Sequence, residues 1–158
     1  MIKVFIGGSR SIRRLDANIE ERLANIMQKR YLVLIGDADG IDSLVQEYFQ
    51  MSNYPNVIIY CSGNECRNNI GSWSEKHILV SSASTKREFY TAKDEQMAKD
   101  TDYGFMIWDG RSRGTLANIQ FLTQQHKPTL VYLEPVRQFR IIKYPNEIGY
   151  LIDSLWKF

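Results

Sequence analysis

Three glycine-containing turns hold the residue types best suited to chemistry in this sequence. They are Gly7-Gly8-Ser9-Arg10, Gly36-Asp37-Ala38-Asp39-Gly40-Ile41-Asp42 and Asp109-Gly110-Arg111-Ser112-Arg113-Gly114-Thr115. The first N–H groups of a helix have no partner within it, and with the positive end of the helix dipole they make a seat for an anion. Gly8 and Gly114 let backbone approach a phosphate, Ser9 and Thr115 offer hydroxyl donors, and Arg10 offers a forked cation. Gly36, Ala38 and Gly40 shape the middle turn, where Asp37 and Asp42 suit ribose hydroxyls or general acid/base work. Plain accounts stand beside these: Thr115 as a helix N-cap, Asp42 as an acidic first-turn residue, Arg10 as a solvated loop charge.

Whether the turns meet depends on the elements that carry them. Apolar runs at 2–6, 31–35, 57–60, 103–108 and 128–133 predict buried strands. Apolar residues at three-to-four-residue spacing predict helices over 15–28, from Asp42 through Phe49, over 87–101 and over 115–126. Strands alternating with amphipathic helices predict an α/β, Rossmann-like fold, a mostly parallel sheet with helices on both faces. Turns leaving such strands at one edge converge on one crevice. An edge strand over 139–144 and a helix from Pro145 through Leu155 complete a single expected domain, 1–158.

The rhythm lapses at about 61–86, a stretch rich in Gly, Asn and Ser, with His77–Val80 as a short strand at most. It reads either as a lid over a ligand or as a surface insertion. Trp73 and Tyr60 read either as stacking platforms for a base or as core.

A formal net charge of +2 argues against a broad basic surface, and so against nucleic acid as partner. No apolar run approaches a membrane span and the N-terminus does not read as a secretory signal, so the expected location is cytoplasmic. Cys61 and Cys66 have no second cysteine pair and no histidine close in sequence. No metal site is therefore expected, and free thiols in a reducing compartment are.

Taken together the motifs resemble the SLOG superfamily, which includes DNA-processing protein A and the Lonely Guy-type cytokinin-riboside phosphate hydrolases. Gly36 to Asp42 is similar to the G-x-A-x-G-x-D element of the DNA-processing proteins. Gly110 to Thr115 is similar to the G-G-x-G-T phosphate loop of the hydrolases, with one extra residue between the glycines. The resemblance covers about residues 2 to 133 and implies a pocket for a nucleotide or a nucleotide derivative, with no further cofactor. The hydrolases carry a glutamate where this chain has Asn118, and an arginine where it has Lys93. Substitute carboxylates are then Glu88, Asp94 and Asp109, of which Glu88 and Asp94 are the candidates for catalysis; Arg87 is a candidate ligand contact.

Three functions stay open: nucleotide binding with cleavage of an N-glycosidic bond, non-catalytic sensing of a nucleotide-derived signal, and single-stranded nucleic-acid binding. Relatives of this kind are often dimers, so a homodimer is also an expectation, although no seam is legible.

Overall fold

The computed structural model describes residues 1–156. Seven strands form one sheet in the order β4-β3-β2-β1-β5-β6-β7. In chain order they are β1 (Lys3–Gly8), β2 (Leu32–Gly36), β3 (Val57–Ser62), β4 (Ser74–Ile78), β5 (Tyr103–Trp108), β6 (Thr129–Leu133) and β7 (Gln138–Ile142). Every pairing is parallel except β6 with β7.

The inner strands are apolar at nearly every position because both sheet faces are covered. Val4 and Ile6 of β1, with Val33 and Ile35 of β2, face α1 (Ala17–Gln28) and α2 (Ile41–Met51) through Ile19, Leu23, Val45 and Phe49. Phe5, Leu34 and Met106 face the other way. They meet α3 (Lys86–Asp100), α4 (Arg113–Gln124) and α5 (Ile148–Leu155) through Met97, Ile119, Leu122 and Leu151. This is the doubly covered α/β arrangement expected from the alternating pattern. From the central β1 the chain moves outward through β2, β3 and β4, then returns beside β1 to begin β5. The carboxyl ends of β1 and β5 therefore flank a point where strand order reverses, the usual ligand crevice of open α/β sheets.

Two segments differ from the sequence reading. The 61–86 stretch contains β4, a parallel edge strand that starts three residues before the expected one. Its sequence SEKHI is mostly exposed, so no apolar pattern announces it; pairing with β3 makes the strand. The fourth helix begins at Arg113 with Ser112 as N-cap, so Thr115 lies inside the first turn. The Ser112 Oγ accepts from the Thr115 N–H at 3.4 Å, the side-chain oxygen to backbone contact that favours serine at such a position.

Candidate functional site

The three turns meet. Ser9 Oγ lies 3.2 Å from Thr115 Oγ1 and accepts from the Asp109 N–H at 3.0 Å. The Ile41 N–H donates to the Ser9 carbonyl, and Gly40, at φ 80°, packs so tightly on Arg10 that a Cβ there would stand 2.4 Å from the Arg10 Cα. A residue other than glycine is excluded at that point both by φ and by contact.

Together they floor a cleft of about 480 Å³, in the size range of small-molecule sites. Of the residues picked from sequence, Gly8, Arg10, Gly36, Ala38, Asp42, Asp94, Gly114 and Thr115 line it. Ser9, Asp37, Asp109 and Gly110 hold the turns from behind. Ser9 ties the first turn to the third. Asp109 folds the third by accepting from the N–H groups of Arg111 and Ser112 and from the Ser11 hydroxyl. Gly110 turns at φ 81° against Leu155. Glu88 and Arg87 are not among the lining residues. Glu88 closes a capping box with Thr85 at the start of α3, and both residues are exposed. Tyr60 and Trp73 belong to the packing: Tyr60 is buried with its hydroxyl donating to Asp100, and the Trp73 indole donates to the Tyr54 carbonyl.

Several lining residues lie outside the set picked from sequence: Arg67, Lys86, Tyr90, Lys93, Ser112 and Asn118. Arg67 comes from the irregular stretch. Its guanidinium and its N–H both donate to Asp37 at 2.8 Å, and it stacks over Tyr90 with the cation 4.4 Å from the ring centre. Burial works against ionised Asp37, but these donors outweigh it and hold the carboxyl below its ordinary value. Asp37 is thus occupied by protein. Lys93 and Asn118 carried a signal, since each stands where the hydrolase pattern has a functional residue; Arg67 carried none.

A charged cluster closes the back of the cleft. Lys93, buried on α3, reaches Asp94 Oδ1 at 2.8 Å. Asp42 accepts from the Ala38 N–H at 3.2 Å. Both pack on Gly36: a Cβ there would stand 2.7 Å from Asp42 Oδ2 and 2.9 Å from Lys93 Nζ. Burial pushes Asp42 up to about 7, with Lys93 opposing and Asp94 reinforcing the shift. The same burial disfavours the Lys93 ammonium, but Asp94 and Asp42 prevail and raise it.

The first turn of α4 borders the same cleft at Gly114. The Arg113 and Gly114 N–H groups have no hydrogen-bond partner among the described residues. Above Gly114 an added Cβ would meet only Ser112 Oγ, at 4.0 Å. One turn further on, Asn118 is buried, and its Oδ1 is without a partner among the described residues. A buried acceptor left bare costs about 1–3 kcal/mol, so its place in a cleft wall marks a contact left for something else.

No protein-family model matches the sequence, and comparison with curated proteins finds no match. Solved structures do match. DNA processing protein A from Helicobacter pylori superposes with a TM-score of 0.62 at 16% identity, over 99% of this chain and 74% of that one. The molybdenum cofactor carrier protein of Chlamydomonas reinhardtii superposes with a TM-score of 0.59 at 12% identity, over 98% of this chain and 84% of that one. The fold is Rossmann-like. At such identities the likeness speaks for the architecture and not for the ligand.

Two further findings concern the loop and the cysteines. The expectation of free thiols is corrected: Cys61 and Cys66 form a disulfide, with Cα atoms 5.1 Å apart. Gly63, at φ 79°, turns the chain back from the end of β3, which brings Cys66 within bridging range. The argument from free thiols to a reducing compartment no longer applies. Among the described residues no helix is long and apolar enough to cross a membrane.

Proposed function

We propose that this chain is a SLOG-type binding protein for a nucleotide or nucleotide derivative, with the ligand's phosphate at the first turn of α4. The observation that carries the reading is the open N–H group of Gly114, in the first turn of α4, in the same cleft as the bare Asn118 Oδ1. One favours an anion and the other a hydrogen-bond donor, and a sugar phosphate offers both. The lining charges agree: Arg10, Arg67, Lys86 and Lys93 against Asp42 and Asp94. Tyr90, already under a guanidinium, supplies an aromatic wall for a base.

Calorimetric titration with nucleoside 5′-monophosphates, the matching nucleosides and inorganic phosphate tests this. Monophosphates are expected to bind at least tenfold more tightly than nucleosides; equal affinities would remove the phosphate from the reading.

Gly114→Ala makes a sharper version. The protein has room for the methyl group, and alanine favours a helix over glycine by about 0.5–1 kcal/mol, so thermal stability holds or rises slightly. A phosphate seated on that N–H would collide with the new Cβ. The expected result is an affinity loss of about tenfold or more with no loss of stability, and unchanged affinity would move the ligand elsewhere.

Cleavage of an N-glycosidic bond is the chemical extension of this reading. Asp94 lines the cleft while Glu88 does not, so Asp94 is the carboxylate to test, by chromatography of released base with Asp94→Asn as the control. The alternative, a sensor without chemistry, draws on Asn118, which cannot serve as a carboxylate. Single-stranded nucleic acid is the further alternative, drawing on the single-stranded DNA binding named for the Helicobacter pylori protein. Salt-sensitive retention of oligonucleotides without mononucleotide binding would favour it.

A further inference from the structure

On the face of the sheet that packs against α1 and α2, the fold assembles three soft-metal ligands that are scattered in sequence. Cys61 of β3 and His77 of β4 are register partners in parallel strands, so their side chains leave the same face. Cys66 returns to them through the turn at Gly63. The sulfur atoms and one ring nitrogen of His77 all lie within 4.8 Å of one another. Tetrahedral zinc, with bonds of about 2.0–2.3 Å, sets its ligand atoms roughly 3.3–3.8 Å apart, so once the bridge is reduced the two sulfurs must move apart from about 2 Å to that spacing, which side-chain rotation can supply.

The histidine adds an independent observation. Its Nδ1 lies 3.0 Å from the Gly63 carbonyl and its Nε2 lies 3.0 Å from Glu75 Oε1. Both neighbours are acceptors, and a neutral imidazole has one proton to give. One nitrogen therefore faces oxygen with nothing between them, unless a second proton or a cation is there. A metal-ligating histidine commonly has one nitrogen donating to a carbonyl or carboxylate and the other on the ion, so binding here would keep one of these two contacts and replace the other with the metal. Cys61 is fully buried, while the His77 side chain is 36% exposed and gives access from the sheet edge.

We propose that, in its reduced form, this protein binds one divalent metal ion of the zinc class through Cys61, Cys66 and His77. The disulfide is the metal-free, oxidised state of the same site. A dithiol reductant converts one to the other: the S–S bond breaks, the dithiol supplies two electrons and two protons, and it closes its own disulfide. On binding the ion, the two protein thiols release their protons to solvent and form two sulfur–metal bonds. The fourth position is left to water or to Glu75. This site is separate from the nucleotide cleft and does not depend on that reading.

Co²⁺ is the probe. The full chain, reduced and then freed of reductant under nitrogen, is titrated with Co²⁺ and followed by absorption, with circular dichroism as the check on folding. Reduced protein is expected to take up one equivalent, with thiolate-to-cobalt charge-transfer bands and strong tetrahedral d–d bands that Zn²⁺ abolishes. Oxidised protein shows neither. Cys66→Ser, with one thiolate left, loses about half or more of the charge-transfer intensity, and His77→Ala weakens binding by at least about tenfold, as loss of a ligand should. The proposal is overturned if reduced protein gives no charge-transfer band. It is equally overturned if His77→Ala binds as tightly as the parent, which would leave only a pair of thiols.

Discussion

Lys93→Met is expected to lower the free energy of unfolding by about 3 kcal/mol, measured by urea denaturation at neutral pH. The methionine preserves chain length and most of the packing on α3, so the loss reports charge. In the native protein the Lys93 side chain is 5% exposed and its ammonium lies 2.8 Å from Asp94. It is also the cation that opposes the upward shift of buried Asp42. Taking one partner out of a buried ionic cluster leaves the others without compensation, which typically costs about 3–5 kcal/mol. The lower end applies here because two escapes are open. Asp42 can take a proton, and Asp94 lines the cleft and can turn to water. The loss should shrink as pH falls and Asp42 becomes neutral. A change below about 1 kcal/mol would mean that the cluster contributes little to folding.

The second large effect is the pH dependence contributed by Asp42. Its pKa is raised from 3.8 to about 7 by burial. A group whose folded pKa lies above its unfolded value favours the folded state through its proton-bound form. That contribution is fully present below the unfolded value and is lost as pH rises through the folded one. Between about pH 4 and pH 7 the Asp42 contribution therefore declines, by up to about 1.4 kcal/mol per unit, and above that range it is flat. Asp37, Asp100 and Asp109 carry the opposite sign. Hydrogen bonds hold their pKa values down despite burial, so their contributions are lost only as pH falls toward and below the ordinary carboxylate range. The two windows are separate. Asp42→Asn keeps an oxygen for the Ala38 N–H but removes the titration. Relative to this variant, the parent should lose a few kcal/mol of stability between pH 4 and pH 8, read from urea midpoints across that range. A difference between the two proteins that does not vary with pH would show that Asp42 is not the titrating group.

These two residues show where reading the chain succeeds and where it stops. The strands were legible because burial on both faces leaves continuous apolar runs, as at Tyr103–Trp108, whose limits are the same in the structure. The turns were legible because glycine before a helix has a local cause, and the meeting of Ser9, Asp42 and Thr115 then follows from parallel topology. The sequence does not announce β4, because its residues are exposed and its stability comes from the neighbouring strand. The apolar pattern begins after the true start of α4 because Arg113 and Gly114 carry no apolar periodicity, whereas the cap is made by Ser112.

Taken by itself, the sequence determined the architecture and the rim of the cleft, since both arise from patterns repeated over a few residues: apolar period, glycine position, capping chemistry. Tertiary structure alone decided which charges meet. Arg67 on Asp37, Lys93 of α3 near Asp42 of α2, and His77 beside the Cys61–Cys66 pair join residues on different strands, loops and helices. Each pairing depends on strand order and on the path of a loop, and its energy exists only once water has been removed from around it. No local pattern encodes that.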